Sequence, residues 1–262
     1  LERLKVTLLY GADAVYIGGE SYSLRANAHN FSLDEIREGC EFAHKLGKRV
    51  HLTLNIVFHN SDMTGVEEYI KDVVACGIDA FIVSDPFIIS YIKSNFNVEV
   101  HLSTQNSTSN YKAIEFFEKE GIDRVVLARE VTVEEIKYIC DNCKADIEVF
   151  VHGALCVCYS GQCLMSSIIG GRSGNRGRCA QPCRMEYTLK GEKSGEQKGH
   201  LLSPKDMCTI DDVKDIVESG THSLKIEGRM KRPEYVYLVT SLYRKAIDNY
   251  KKYKQRFCLY LL

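Results

Sequence analysis

The sequence lacks a long apolar run and lacks a strong excess of either charge. None of its hydrophobic stretches reaches the roughly 18 residues that a membrane-spanning helix needs. The opening residues, Leu1–Lys5, are charged and show no apolar segment with a cleavage site, so we expect no secretory signal in this sequence. We therefore expect a cytoplasmic chain with no membrane partner. With a net charge of −1, any surface that binds nucleic acid must be local.

Motifs of several common enzyme classes are also missing. No Gly-x-Gly-x-x-Gly fingerprint follows a predicted strand, which argues against a dinucleotide-binding sheet. The chain has neither the His-Glu-x-x-His motif of zinc peptidases nor the Gly-x-Ser-x-Gly turn of serine hydrolases. A peptidase would have to pair His152 as a base with Cys156 or Cys158 as the nucleophile.

What the chain does have is a regular alternation of apolar strands and amphipathic helices. The predicted strands are Ala12–Gly18, Arg49–Val57, Ala80–Ser84, Val98–Thr104, Arg124–Ala128, Ile147–Val151 and Ser223–Ile226. The predicted helices are Leu1–Tyr10, Ser32–Leu46, Gly65–Cys76, Pro86–Asn95, Asn110–Glu120, Thr132–Asn142, Thr209–Ser219 and Pro233–Tyr253. Strands this apolar are buried on both faces, which is typical of a parallel sheet covered by helices.

This alternation predicts one α/β domain over residues 1–262, a TIM-like (β/α)8 barrel. The leading helix Leu1–Tyr10 has no strand before it, so we expect the first strand of the barrel to be missing. Ala12–Gly18 and Ser223–Ile226 should then flank a gap, because strands 2 and 8 of a closed barrel both pair with strand 1. An open, Rossmann-like sheet is the alternative.

Active-site residues of such barrels lie where the strands end. The candidate catalytic residues at these positions are Asn55, Gln105, Arg129, Glu130, His152 and Glu227. We expect Asn55, Gln105, Arg129, His152 and Glu227 to line one cavity. The alternative interpretation is that polar side chains simply mark the ends of strands.

A cysteine-rich insertion separates the last two predicted strands and covers residues 152–200, ending in a hairpin. Its cysteines Cys156, Cys163, Cys179 and Cys183 have the spacing C-x₆-C-x₁₅-C-x₃-C. Four thiolates can hold zinc or an iron–sulfur cluster, and the spacing alone leaves both metals, and no metal at all, open. Cys158 is a fifth thiol within reach.

The sequence around this insertion resembles the peptidase U32 family. The resemblance runs from Glu148 to Ser166, through His152-Gly-Ala-Leu-Cys156 and Gly161-x-Cys163-x-Met-Ser. Further blocks that resemble the family are Gly171–Cys179, Lys225–Met230, Ser103–Gln105 and Leu127–Glu130. Family members begin with a strand that is absent here, in agreement with the strand count.

The resemblance implies several activities. The family name denotes a protease, and some members are described as collagenases. Members studied as RNA-modifying enzymes hydroxylate a pyrimidine of tRNA or of 23S ribosomal RNA, and others serve in oxygen-independent ubiquinone hydroxylation. In the hydroxylating members the cysteines bind a [4Fe–4S] cluster, which implies Cys156, Cys163, Cys179 and Cys183 as ligands here. The tRNA branch is linked to prephenate as a possible co-substrate, whereas the Gly171–Cys179 block is closer to the ribosomal RNA branch.

The resemblance and the residues together predict an iron–sulfur-dependent RNA hydroxylase. A local basic surface would contact the RNA backbone through Arg172, Arg176, Arg178, Arg184, Arg229 and Lys231, with Lys225 and Arg232 nearby. Tyr159 and His152 are candidates for stacking on an extruded base. The alternatives are a U32-type peptidase and a non-catalytic partner subunit.

Overall fold

All seven predicted strands form, and they pair in parallel in the order in which they occur along the chain. The structure, a computed structural model, describes residues 1–24, 30–191, 195–253 and 260–261. Its strands are β1 (Ala14–Ile17), β2 (Arg49–Leu54), β3 (Ala80–Val83), β4 (Glu99–Leu102), β5 (Arg124–Val126), β6 (Asp146–Gly153), β7 (Tyr187–Gly191), β8 (Gly195–Gly199), β9 (Met207–Cys208), β10 (Ser223–Ile226) and β11 (Tyr260–Leu261). The parallel order β1-β2-β3-β4-β5-β6-β10 curls into a half-barrel and excludes the Rossmann-like alternative.

The helices lie between the parallel strands, as predicted. They are α1 (Glu2–Leu9), α2 (Leu33–Lys45), α3 (Val66–Ala75), α4 (Pro86–Asn95), α5 (Tyr111–Lys119), α6 (Val133–Asn142), α7 (Met165–Gly170), α8 (Val213–Glu218) and α9 (Pro233–Tyr253). Ser32, Asn110 and Thr132 each accept a hydrogen bond from a backbone N–H in the first turn, so they are the N-caps of α2, α5 and α6. Among the described residues, no helix combines the length and apolar character needed to cross a membrane.

One predicted helix begins later than expected. Residues 209–212 are not helical, and α8 starts at Val213. The cause is a short strand, β9, which pairs antiparallel with the end of β6 and places Cys208 opposite His152. Thr209 then donates both its backbone N–H and its hydroxyl to the Val151 carbonyl, so its backbone is already bonded before the helix begins. The insertion also contains α7, which was not predicted.

The structure shows only part of the gap that was expected between the first and last parallel strands. β1 is an edge strand, but the first half of β10 pairs in parallel with β11, with Ser223 opposite Tyr260. The expectation that β10 borders an open gap is therefore wrong for Ser223 and Leu224. Further along, a cavity of about 100 Å³ separates β1 from the end of β10 and is lined by Ile17, Ile226 and Arg229, among others.

The two faces of the sheet have opposite characters. The helix-facing side chains are apolar and form the core with the helices; they include Leu52, Val83, Leu102, Val125, Ile147 and Leu224. The other face, which TIM barrels usually fill with branched aliphatic residues, carries His51, His101, Glu148 and Lys225, all buried. Lys225 Nζ lies 2.6 Å from Glu148 Oε1, and the rings of His51 and His101 meet edge to face at 4.7 Å.

This polar interior makes stability depend on pH. Burial lowers the pKa of His51 well below its ordinary value, with His101, Arg124, Arg49 and Lys225 adding to the effect. Because the unfolded chain then binds more protons, the free energy of unfolding should fall as pH drops below about 6.5, by at most about 1.4 kcal/mol per pH unit for each such imidazole. Urea unfolding at several pH values between 7.5 and 5 would measure how the free energy of unfolding changes with pH.

The matched variant for this prediction is His51→Leu. Both ring nitrogens of His51 are buried without a hydrogen-bond partner among the described residues. Leucine therefore removes a titrating group without removing a side-chain hydrogen bond to any of those residues. We expect a shallower pH dependence in the variant. If the free energy of unfolding depended on pH equally in both proteins, the assignment of this dependence to His51 would be wrong. Carboxylates do not explain it, because they titrate mainly below this pH range.

Candidate functional site

The polar residues predicted at the strand ends do lie at one end of the half-barrel, which we call the mouth. Asn55 follows β2 and donates to the Ser103 hydroxyl, which follows β4, at 3.1 Å. Asn106 donates to the carbonyl of Ser84, the residue after β3. The side-chain oxygens of Asn55 and Asn106 are buried and accept no hydrogen bond from the residues described. A water molecule or a ligand would be needed to satisfy these two buried acceptors.

Ser160, which sequence reasoning missed, attaches the cysteine-rich insertion to the mouth. It is buried, and its backbone N–H donates to Glu130 at 3.0 Å. Its hydroxyl accepts from the backbone N–H of Arg129, while its carbonyl accepts from the Ser107 hydroxyl. Glu130, proposed from sequence as catalytic, is thus bound to the backbone of the insertion. No sequence signal marked Ser160, because its role depends on three partners distant in the chain.

Gly161 completes this attachment by close backbone contact. A Cβ atom built on it would lie 2.4 Å from the carbonyl oxygen of Gln105, and its φ of +78° is in the left-handed region. Only glycine fits such a position without strain. Asn175 donates to the Gly161 carbonyl, and Val57 donates to the Asn175 carbonyl. The insertion is therefore held over Gln105 from two sides.

His152 lies on the opposite side of the mouth, at the end of β6. Its ring packs against Tyr235 and Tyr243, and its Nδ1 lies 3.5 Å from the Tyr243 hydroxyl. Burial lowers the pKa of His152, with a smaller opposing effect from Asp206, so the imidazole is a neutral acceptor at pH 7. Burial also raises the pKa of Tyr243 to about 12, which keeps its hydroxyl protonated.

Glu227 and Arg229 follow β10 and approach the mouth from the next strand. The backbone N–H of Glu227 donates to the His152 carbonyl, and Gly153 leaves room for the Glu227 side chain. Arg229 donates to the hydroxyls of Thr53 and Ser23. The cavity between β1 and β10 is lined by Arg229 but by none of the five residues expected to share a cavity. Those five share the mouth; that they line a single cavity stays a prediction.

Two hydrogen bonds join, in pairs, the segments of the insertion that carry the four cysteines. On one side, Arg184, next to Cys183, donates to the carbonyl of Leu155, next to Cys156, at 2.7 Å. On the other, the Ser166 hydroxyl, three residues after Cys163, accepts from the N–H of Ala180, next to Cys179. None of the four cysteines forms a disulfide, and each is at least partly exposed.

These thiols do not form a ready site for a single ion. Among the described residues, no three His, Cys, Asp or Glu side chains are arranged to hold one metal ion. A mononuclear zinc site needs all its sulfur atoms about 2.3 Å from one metal. A cubane cluster binds each thiolate through a different iron atom and so needs the sulfurs further apart. Cys156 and Cys179 are exposed and Cys163 and Cys183 are partly buried, so the cluster assignment stays a prediction.

The predicted basic residues fall into two groups. Arg176 forms a bidentate ion pair with Asp62, and Arg184 donates to Ser203, Pro204 and Leu155, so both guanidinium groups support the insertion. Lys225 is buried against Glu148 and cannot reach RNA. Lys231 lies over the Tyr235 ring and near Asp206. The exposed side chains of Arg172 and Arg178 remain the best candidates for phosphate contacts.

The chain matches the family model of peptidase family U32 over residues 1–259. It is 47% identical over 259 residues to the tRNA hydroxylation protein P1 of Bacillus subtilis, covering 95% of this chain and 61% of that protein. It is 41% identical over 243 residues to a 23S rRNA 5-hydroxycytidine synthase of Escherichia coli, covering 92% and 37%. It is 37% identical over 265 residues to a collagenase of Porphyromonas gingivalis, covering 95% and 64%. The chain thus spans less than two thirds of each of these relatives.

Proposed function

This chain belongs to peptidase family U32, and we propose that it is the barrel portion of an iron–sulfur-dependent cytoplasmic enzyme that hydroxylates a pyrimidine in ribosomal or transfer RNA. Two of its relatives are named for RNA hydroxylation, of tRNA and of 23S rRNA. The observation that carries the proposal is the mouth itself. Buried side-chain oxygens of Asn55 and Asn106 with no partner among the described residues lie there, and the insertion attached to the mouth holds four cysteines that form no disulfide.

The residues of the mouth are suited to a pyrimidine base. The side-chain oxygens of Asn55 and Asn106 can accept hydrogen bonds from a base amino or imino group. His152 and Tyr235 supply aromatic faces at the opposite side, on which an extruded base can stack. The neutral His152 can take up a proton released from the base. Arg172 and Arg178 would contact the flanking phosphates.

The cysteine loop is suited to a redox cofactor. We assign Cys156, Cys163, Cys179 and Cys183 as the ligands of a [4Fe–4S] cluster, which when bound would supply electron transfer next to the substrate. The four cysteines are at least partly exposed, and Arg172, Arg178 and Arg184 lie on the same insertion. Replacing a ring hydrogen by a hydroxyl group is a two-electron oxidation, which needs both an oxygen source and an electron acceptor. The family resemblance implies prephenate as a candidate co-substrate of this reaction.

A peptidase remains the second candidate, because one relative is named a collagenase. A cysteine peptidase needs a thiol hydrogen-bonded to a base. The Nδ1 atom of His152 faces the Tyr243 hydroxyl. If Cys156 is a cluster ligand, it cannot also act as the nucleophile.

Nucleoside analysis of cellular RNA tests the proposal. Total tRNA and rRNA from cells with and without the gene would be digested and compared by mass spectrometry, with His152→Gln as a complementing variant. We expect one pyrimidine carrying an additional oxygen atom to be lost in the deletion and not restored by His152→Gln. An unchanged set of hydroxylated pyrimidines in the deletion, together with peptide cleavage by the purified protein, would favour the peptidase.

A further inference from the structure

Arg129 is held at the mouth in an unusual way. Its guanidinium lies over the ring of Phe150, with 4.0 Å between Cζ and the ring centroid. Its backbone N–H is bonded to the buried Ser160 hydroxyl. Both contacts restrict the side chain, because the guanidinium packs against the ring and the hydrogen bond to Ser160 fixes the backbone of Arg129.

The hydrogen-bonding edge of this guanidinium is unfilled. Within the described part of the chain, none of its donors makes a hydrogen bond or an ion pair, although the side chain is partly buried. Other arginines near the mouth and in the barrel are engaged: Arg176 with Asp62, Arg184 with Ser203, and Arg124 with Asp146. Guanidinium offers five donors in a planar fork, so an immobilised group with an open edge is prepared for a planar acceptor.

The charges around Arg129 favour an anion. The nearest acid in the chain, Glu130, directs its carboxylate to the Ser160 backbone. The second cation near the Phe150 ring, Lys225, lies 5.6 Å from its centroid and is paired with Glu148. The charge of Arg129 is therefore not neutralised by an ion pair with the described residues.

We propose that Arg129 binds an oxyanion of the substrate or co-substrate at the mouth, as a two-pronged donor that packs against the Phe150 ring. Carboxylate and phosphate share this chemistry, because both offer two oxygen atoms to the two N–H groups on one edge. The identity of the anion as part of a reacting molecule rests on the proposed function. The binding itself does not, because it requires no turnover and no cluster.

Calorimetric titration of the whole protein tests the site, with malonate and cytidine 5′-monophosphate as separate probes. Arg129→Gln should weaken binding of the preferred probe at least about tenfold, as expected for loss of a charge-assisted bidentate pair. Arg129→Lys should also weaken it, because an ammonium group has no planar fork and stacks less well. Phe150→Leu should have an intermediate effect. Arg37→Gln, on the outer helix α2, is the matched control and should bind like the unsubstituted protein.

The two probes separate the sources of the oxyanion. Preference for malonate assigns the site to a carboxylate co-substrate, and preference for the nucleotide assigns it to an RNA phosphate. Equal affinity of Arg129→Gln and the unsubstituted protein for both probes, or no binding of either probe at millimolar concentration, would overturn the proposal. If the anion binds through Arg129 while no RNA is modified in cells, the site stands and the proposed hydroxylation fails.

Discussion

Serine in place of Cys179 is expected to abolish stoichiometric iron and sulfide in protein reconstituted under anaerobic conditions. The same loss is expected for Cys156→Ser, Cys163→Ser and Cys183→Ser, because each thiolate would be the protein ligand of one iron and a hydroxyl is a poor replacement. The measurements are iron and sulfide content and the broad absorption near roughly 400 nm that thiolate-to-iron charge transfer produces in such clusters. Hydroxylated pyrimidine in cellular RNA should disappear with the cluster.

Two further sets of variants sharpen this experiment. Cys40→Ser and Cys76→Ser change buried cysteines of the helix layer and should leave the absorption unchanged. Cys158→Ser tests the fifth thiol of the insertion, which should not be needed if the assignment is right. Stoichiometric zinc without iron, or an undiminished iron content in Cys183→Ser, would show that the cluster assignment is wrong and would remove most of the support for hydroxylation.

Methionine in place of Lys225 is expected to destabilise the protein by about 3 kcal/mol, the lower end of what removal of one partner from a buried ion pair usually costs. Glu148 is fully buried and accepts from Lys225 and from the Ser223 hydroxyl. Burial alone would raise the pKa of Glu148, but Lys225 and Arg124 hold it below its ordinary value. Without Lys225 the carboxylate loses its closest cation, while Arg124, at 3.7 Å, limits the loss.

The double variant Lys225→Met with Glu148→Leu provides the internal control. Replacing both members of a buried pair by apolar groups is often close to neutral, so most of the stability should return. Urea unfolding at pH 7.5 measures both effects. A single variant as stable as the unsubstituted protein, or a double variant no more stable than the single, would show that the pair is not what stabilises this layer of the interior.

The half-barrel illustrates which parts of a fold follow from local patterns. The strand Ser223–Ile226 and the helices Pro86–Asn95 and Pro233–Tyr253 were predicted with the bounds that the structure has. Their apolar periodicity and their flanking capping residues act within a few residues of each other, so sequence order alone reveals them. The parallel chain order also follows, since each helix returns the chain to the same end of the sheet.

Contacts between distant segments were not accessible in this way. β9 forms because residues 207–208 meet β6, more than fifty positions earlier in the chain, and β11 covers an edge that the strand count predicted to be open. Two-residue strands have no periodicity of their own, so no local pattern marks them. The polar interior was likewise unexpected, because a lone His51 or Glu148 within an apolar strand gives no indication of its partner.

The sequence by itself determined the family, the order of strands and helices, the end of the sheet at which polar residues gather, and the four cysteines proposed as cluster ligands. These follow from residue types at fixed spacings along one chain. Only the tertiary structure decided that Ser160 and Gly161 attach the cysteine loop to the mouth, that Arg176, Arg184 and Lys225 are engaged within the protein, and that Arg129 keeps an open edge. The physical reason is that hydrogen bonding and burial depend on which side chains meet in space, and each of these residues meets partners far away in the sequence.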